Sequence, residues 1–221
     1  MKNIADSVIQ NIWNWADENS IPDLKWIAHD SYLKGGYYKG LPRDRETLLS
    51  LTQLNLLGYQ LTELPKEIGA LKQLRTLYLS GNKLIELPAQ IGNLSNLQEL
   101  YVPGNHLGAV PKEIGMLSNL KILILQENQI STLPKEIGNL LKLEILELGG
   151  NRLSDLPKEI GALTNLSQLT LWKNQFSQLP REIHKLVNLR ELDIIYNKIV
   201  LTDEDVMWLE NLMAKDCEVG I

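Results

Sequence analysis

Leucine recurs every 23 residues along most of this chain, and this spacing constrains the fold more than any other feature. Residues 51, 74, 97, 120, 143, 166 and 189 are leucines, and each begins a segment close to the pattern Leu-x-x-Leu-x-Leu-x-x-Asn-x-Leu-x-x-Leu-Pro-x-x-Ile-Gly-x-Leu-x-x. A fixed period of this length predicts a solenoid, in which every repeat forms one coil and packs only against its neighbours. The chain of 221 residues is long enough for one such array with a cap at each end.

Within each repeat, leucine alternates with other residues and predicts a short strand. Leu123 and Leu125 show the period of two that buries one face of a strand. The proline that follows, Pro134 in this repeat, cannot lie inside a strand ladder or a helix, so it predicts a turn to a short segment behind the sheet.

An asparagine follows each strand at constant spacing. Its side chain both donates and accepts, so a stack of asparagines can satisfy backbone groups that are buried in the turns. Tyr59 stands at this position in the first repeat, and we therefore expect the ladder to begin one repeat later. The ladder residues are Asn82, Asn105, Asn128, Asn151, Asn174 and Asn197.

These repeats resemble the leucine-rich-repeat family, in its 23-residue class with the Leu-Pro-x-x-Ile-Gly signature, as in Leu133-Pro134 and Ile137-Gly138. The resemblance covers about two thirds of the chain. It implies an α/β fold: a right-handed solenoid, or horseshoe arc, with a parallel β-sheet on the concave face, short helical or 3₁₀ segments on the convex face, and helical caps at both ends. Similar uniform repeats occur in bacterial proteins, including effectors delivered into host cells, and in Ras-associated intracellular repeat proteins.

The two ends depart from the pattern and are interpreted as caps, because the last coils of a solenoid would otherwise expose their core. Near the N-terminus, Ile4, Val8, Ile12 and Trp15 fall on one helical face, and farther along Leu33 takes a core strand position. Large rings that seal the first coil explain the three N-terminal tryptophans better than a ligand site does. The predicted division is an N-terminal helical cap at 1–27, a degenerate repeat at 28–50, seven repeats with the last one partial at 51–199, and a C-terminal capping helix and tail at 200–221.

Side chains that commonly carry catalysis are scattered in this pattern. His29, His106, His184 and Cys217 fall on different parts of the repeat frame and cannot converge. The sequence therefore predicts no catalytic residues, no metal site and no cofactor. An enzyme with a site hidden in the caps is the remaining alternative.

The net charge limits the classes of partner that the chain can bind, and the number of cysteines indicates the cellular compartment. A net charge of −5 without a basic block argues against nucleic acid and against an anionic membrane surface. A lone cysteine excludes a disulfide framework and favours a reducing compartment. The N-terminus lacks the apolar core of a signal peptide, and no apolar run is long enough to span a bilayer. We expect a cytoplasmic monomer, or a protein of a host cytosol if the chain is a delivered effector.

The outward positions of the strands predict where a partner binds. If the strand leucines point inward, positions 3, 5 and 7 of each repeat point out from the concave sheet, with position 8 at the rim. Aromatic and isoleucine side chains gather at these positions with acidic residues around them, as in a protein-binding hot spot. The predicted binding residues are Tyr78, Glu99, Tyr101, Ile122, Ile124, Ile145, Glu147, Trp172, Asp193, Ile195 and Tyr196.

The alternative explanation is that β-branched and aromatic residues simply suit a pleated sheet. The combined set on one face favours a non-catalytic module that binds a protein or peptide, with basic or amide groups facing the acids. One alternative is a bacterial effector that is delivered into host cells and binds a host protein through the same residues. Self-association through this face is a further alternative.

Overall fold

The structure is a computed structural model that describes residues 4–27 and 37–221. Its N-terminal part contains helix α1 (Asp6–Glu18), the antiparallel strands β1 (Lys25–Ile27) and β2 (Tyr37–Lys39), and helix α2 (Arg45–Ser50).

Helix α1 covers the first coil with a face that differs slightly from the predicted one. Ile9, Ile12, Trp15 and Ala16 are buried, whereas Val8 is only half-buried. The helix is amphipathic, and its buried residues join the same core as the leucines of the repeats.

Arg43 attaches α1 to the first coil through ion pairs and hydrogen bonds. Its guanidinium lies 2.8 Å from the Asp17 carboxylate and 3.1 Å from that of Asp23. It also donates hydrogen bonds to the backbone carbonyls of Trp13 and Ile21. One side chain therefore holds the C-terminal half of α1 and the turn that follows it.

The segment predicted as a degenerate repeat differs from the regular repeats in the part that is described. It carries an antiparallel strand, β2, at a position that is not a strand in the repeats, and a true α-helix, α2, near the position of the 3₁₀ segments. Leu41 and Leu48 are nevertheless fully buried. Their equivalents one period later, Leu64 and Leu71, are also buried, with 6% and 0% of their surface exposed. Leu33 lies outside the described residues.

Eight short strands form one parallel sheet in the described part of the chain. Their order in the sheet follows the sequence, and neighbouring strands pair with corresponding residues of successive repeats. The strands are β3 (Gln53–Asn55), β4 (Thr76–Tyr78), β5 (Glu99–Tyr101), β6 (Ile122–Ile124), β7 (Ile145–Glu147), β8 (Gln168–Thr170), β9 (Glu191–Asp193) and β10 (Glu218–Gly220).

A 3₁₀ segment follows the Leu-Pro or Val-Pro step of each of the first six repeats on the convex side. Proline precedes the first residue of each segment, where its missing N–H is not needed. The following glycine lets the coils approach, because a Cβ on Gly92 would lie 2.4 Å from the Glu113 carbonyl oxygen. The segments are Lys66–Ala70, Ala89–Asn93, Lys112–Met116, Lys135–Asn139, Lys158–Ala162 and Arg181–Lys185.

The last repeat meets helix α3 (Asp203–Met213) instead of another coil. His184 therefore replaces the convex glycine, and its Nε2 lies 2.8 Å from Oδ1 of the buried Asp205. Asp205 and Thr202 also form the capping box that starts the helix. Strand β10, which was not predicted, then pairs with β9 and extends the sheet.

One continuous core of leucine and isoleucine side chains runs from α1 to Cys217. None of the helices in residues 4–27 and 37–221 is long and apolar enough to cross a bilayer.

Candidate binding surface

The sheet presents the predicted binding residues on one face. In each of the strands β3 to β9 the central leucine is buried, as Leu77, Leu100 and Leu123 are, and its two neighbours face outward. The parallel register places Tyr78 beside Tyr101 and Tyr101 beside Ile124. We call the predicted set the concave strip: Tyr78, Glu99, Tyr101, Ile122, Ile124, Ile145, Glu147, Trp172, Asp193, Ile195 and Tyr196.

A stacked tyrosine pair forms the N-terminal part of the strip. The rings of Tyr78 and Tyr101 lie 4.7 Å apart with planes 17° from parallel. The Tyr101 hydroxyl donates to the Glu99 carboxylate at 3.2 Å. Burial, and then the nearby Glu99 charge, raises the pKa of both tyrosines, so both phenols stay protonated at neutral pH. The pair offers a flat apolar surface with hydroxyl groups.

Isoleucines form the centre of the strip, but one of them is not available to a partner. Ile122 and Ile145 pair across β6 and β7 and are partly exposed. The prediction that Ile124 is an exposed binding residue is wrong, because only 9% of it is exposed. It lies between Tyr101 and Glu147 on the adjacent strands, and their longer side chains flank it.

Acidic residues dominate the C-terminal part of the strip. Glu147 and Asp193 flank Thr170 on the neighbouring strands, and Glu191 precedes Asp193 by two residues on the same face. Gln168 donates a hydrogen bond of 3.0 Å to Glu147. Burial, and then the like charge of Glu191, raises the pKa of the Glu147 carboxyl. These carboxylates therefore repel one another.

Cations are missing from this face. Positions 3, 5 and 7 of the seven repeats hold four carboxylates, Glu99, Glu147, Glu191 and Asp193, and no lysine, arginine or histidine. None of the ion pairs formed within residues 4–27 and 37–221 includes any of these four. The strip thus has a net negative charge that no ion pair of the described residues neutralises, and position 8 at the rim holds one lysine, Lys173.

Trp172 lies across a glycine of the preceding repeat. A Cβ built on Gly149 would be 2.1 Å from its indole Nε1, so the ring occupies that space. The carboxylate of Glu127 lies in the same way against Gly150, where a Cβ would meet Glu127 Cδ at 2.8 Å. The Gly149-Gly150 pair therefore accommodates both side chains.

The rim beside the strip contains strained backbone. Position 8 has a left-handed φ in every repeat, and four of these residues are glycine. At Glu127, Lys173 and Tyr196 the φ angles are 52°, 52° and 55°, a conformation that costs a non-glycine residue roughly 1–2 kcal/mol. Tyr196 is also 77% exposed. The side chains of these three residues contribute nothing to the core. Backbone strain at such residues points to a role for them at the surface.

The asparagine ladder supports the strip from below. Asn105 accepts a hydrogen bond from the Leu84 N–H and donates to the Leu79 and Val102 carbonyls, at 3.0–3.2 Å. The other ladder residues repeat these contacts, and the first is Asn82. A second, exposed ladder was missed: Asn96, Asn119, Asn165 and Asn188 each donate to a backbone carbonyl 24 residues earlier.

The groups considered for catalysis stay apart. His106 is exposed, His184 contacts Asp205 and Trp208 at the C-terminal cap, and Cys217 is buried near the sheet edge. His29 lies outside the described residues.

A family model described as a leucine-rich repeat region matches residues 42–120 and 105–214. The chain belongs to the leucine-rich-repeat family. No curated protein matches it.

Solved structures of other leucine-rich-repeat proteins are similar over most of the chain. The ectodomain of the plant receptor kinase GASSHO1/SCHENGEN3 from Arabidopsis thaliana, in complex with CASPARIAN STRIP INTEGRITY FACTOR 2, is 31% identical with a TM-score of 0.65, covering 72% of this chain and 20% of that one. The plant peptide hormone receptor RGFR1, in complex with RGF2, is 39% identical with a TM-score of 0.62 and coverages of 69% and 26%. An internalin, InlF, from Listeria monocytogenes is 27% identical with a TM-score of 0.65 and coverages of 78% and 48%.

The chain thus spans from about a fifth to about half the length of these solved structures. Leucine-rich-repeat folds commonly serve as protein–protein interaction modules, and they are typically not catalytic.

Proposed function

We propose that this leucine-rich-repeat chain is a non-catalytic module that binds a protein or peptide across the concave strip. The observation that carries the proposal is the partly exposed row of aromatic and isoleucine side chains on one face of the sheet, from Tyr78 to Tyr196. These side chains lie outside the leucine core, and apolar groups of this kind surrounded by acids suit a partner's surface.

Two of the similar structures support the proposal. The plant receptors GASSHO1/SCHENGEN3 and RGFR1 were each solved in complex with a named factor, and RGFR1 is a peptide hormone receptor. By analogy, an extended peptide or a protein edge is the kind of partner we expect for this chain.

The test is capture of proteins on the immobilised chain, with detection by mass spectrometry. The concave variant combines Tyr101→Ala, Ile145→Ala and Trp172→Ala, and it omits the buried Ile124 so that the fold is kept. The control variant combines three exposed apolar residues outside the strands: Met116→Ala, Leu141→Ala and Val187→Ala.

We expect a protein that is retained by the native chain and by the control variant to be lost from the concave variant. Circular dichroism and thermal unfolding establish that both variants are folded. Undiminished capture by a folded concave variant would show that the strip is not the binding surface.

A further inference from the structure

We infer that the C-terminal half of the concave strip binds an arginine side chain of a basic partner segment, between Glu147 and Asp193 and against Trp172. The inference rests on the proposed function, since it specifies the chemistry of the partner at that same surface. Four observations lead to it: uncompensated charge, an unsatisfied buried hydroxyl, an aromatic ring at the edge of the acids, and a rim held in a strained conformation.

The uncompensated carboxylates indicate that the partner group that contacts them is positively charged. Glu147 lies on β7, and Glu191 and Asp193 lie on β9, one strand beyond β8, without a cation at outward positions 3, 5 or 7 of the repeats. Glu218 of β10 pairs with Glu191 and extends the acidic surface to the sheet edge. Because the other acidic residues of the protein are interspersed with 22 lysines and arginines, this separation of charge is specific to the face. A cationic group from a partner removes the repulsion.

The unsatisfied hydroxyl of Thr170 indicates where the cationic group of the partner enters the acidic surface. Thr170 is 4% exposed, and its Oγ1 has no hydrogen-bond partner among the described residues. It lies on the outward face between Glu147 and Asp193, one strand away from each. A buried polar atom without a partner is unfavourable, and a donor that enters between the two carboxylates supplies the missing bond.

The spacing of the carboxylates fits a guanidinium group. Residues on alternate strands are roughly 10 Å apart, since adjacent strands are separated by about 4.8 Å. A planar guanidinium presents donors on two sides, so it can reach a carboxylate on each side at once, whereas an ammonium is a compact point charge.

The ring observation also favours arginine over lysine. Trp172 extends back over Gly149, which lies two residues after Glu147, just beyond the end of β7, so its indole borders the acidic residues. Guanidinium groups stack on indole faces.

Glu127 adds another carboxylate beside the ring. It lies against Gly150 and is held at a left-handed φ that glycine would adopt without strain.

The test uses acetylated and amidated Gly-Gly-Arg-Gly-Gly peptide as the probe, and it follows the indole N–H signals of the ¹⁵N-labelled full chain by NMR. Two comparison peptides replace arginine with citrulline, which has a similar shape without the charge, or with lysine. Trp172→Phe identifies the Trp172 signal. The test variant combines Glu147→Gln with Asp193→Asn, and the matched control removes the same charge from exposed residues outside the strands, with Glu63→Gln and Glu86→Gln.

We expect the arginine peptide to shift the Trp172 signal in a saturable way, with affinity reduced by about tenfold or more in the test variant and unchanged in the control. The citrulline peptide should leave the signal in place, and the lysine peptide should bind several-fold more weakly than the arginine peptide. Equal binding of the citrulline or lysine peptide, an unaffected test variant, or the absence of a Trp172 shift overturns the inference.

Failure here is distinguishable from failure of the proposed function. If the arginine peptide does not bind but the concave alanine variant still loses its captured protein, the arginine site is wrong and the binding surface stands. If the concave variant keeps every captured protein, the binding surface itself is wrong, whatever the peptide does.

Discussion

Trp172 lies so close to Gly149 that a single added Cβ would come within 2.1 Å of the indole nitrogen. Gly149→Ala should therefore displace the ring from the acidic part of the concave strip. Because the end of a tryptophan side chain can move, we expect the coil to stay folded with a loss of about 1 kcal/mol from overpacking. A changed indole NMR signal and a lower midpoint of thermal unfolding measure the two effects.

Gly108→Ala is the matched control for this change. A Cβ on Gly108 meets no atom within 4 Å, and its φ lies outside the left-handed region. Its unfolding midpoint should be unchanged or slightly higher. The packing explanation is refuted if both alanine variants leave the Trp172 signal unmoved.

The buried ladder predicts a large effect for one asparagine and a small effect for another. Asn105→Ala leaves the buried Leu84 N–H without a partner, while the Leu79 carbonyl keeps its hydrogen bond from Asn82, and we expect a loss of about 1–3 kcal/mol. Asn165 donates to the Leu141 carbonyl at an exposed site, where water replaces it, so Asn165→Ala should cost less than about 1 kcal/mol. Urea unfolding measures both, and equal losses would contradict the assigned role of burial.

The repeat pattern was sufficient to predict the sheet and its outward positions. Each coil has the same period and contacts only its neighbours, so one interpreted repeat gives the register of all the others. Leu77, Leu100 and Leu123 therefore occupy equivalent buried positions, and the ladder begins at Asn82 with a bond to Leu61.

Features that do not repeat could not be predicted in this way. Arg43 binds partners 20 to 30 residues away, and β10 pairs with β9 after an intervening helix, so neither has a periodic signal. The exposed ladder of Asn96 and its equivalents is periodic and could have been found from its spacing.

The degree of exposure within the strip also depends on neighbours rather than on position. Asn55, Ile124 and Thr170 share the outward position of Tyr78, yet they are 1%, 9% and 4% exposed. Adjacent strands bring side chains within a few ångströms at this position, and tyrosine rings flank Asn55 and Ile124. Alternation predicts which face a residue joins, but not how much of it a partner can reach.

The strained rim predicts that glycine stabilises at one site and that alanine destabilises at another. Lys173 has φ 52°, so Lys173→Gly should raise the free energy of unfolding by roughly 0.5–1 kcal/mol. Gly104 has φ 65° and ample space for a Cβ, so Gly104→Ala should lower it by roughly 1–2 kcal/mol through backbone strain alone. Urea unfolding tests both, and a destabilised glycine variant would show that the lysine side chain has contacts that outweigh the strain.

Repulsion within the acidic group predicts a pH-dependent effect of Glu147→Gln. Burial and Glu191 raise the pKa of Glu147 above its ordinary value of 4.5, so ionisation opposes folding. The penalty is complete above the raised pKa and disappears as the pH falls below the unfolded value. Glu147→Gln should therefore stabilise the protein at pH 7, by roughly 0.2–1 kcal/mol because water screens a partly exposed group.

Thermal unfolding of the native chain and the glutamine variant from pH 3 to pH 8 measures this effect, with Glu63→Gln as the control. The difference between the two proteins should shrink as the pH falls. A difference that is constant with pH would indicate a packing effect rather than a charge effect.

The attachment of α1 through Arg43 predicts that removal of this side chain loosens the N-terminal cap. Arg43→Ala breaks contacts with Asp17, Asp23 and two backbone carbonyls in a side chain that is 27% exposed, and we expect a loss of about 1–3 kcal/mol. Hydrogen exchange should rise first in α1 (Asp6–Glu18), because the cap contacts the array at one end only. Arg181→Ala provides the control, since that arginine is 84% exposed and lies 3.7 Å from Glu204, and such a pair contributes less than about 1 kcal/mol. Faster exchange spread evenly over all repeats, or equal losses in the two variants, would show that Arg43 does not act through the cap.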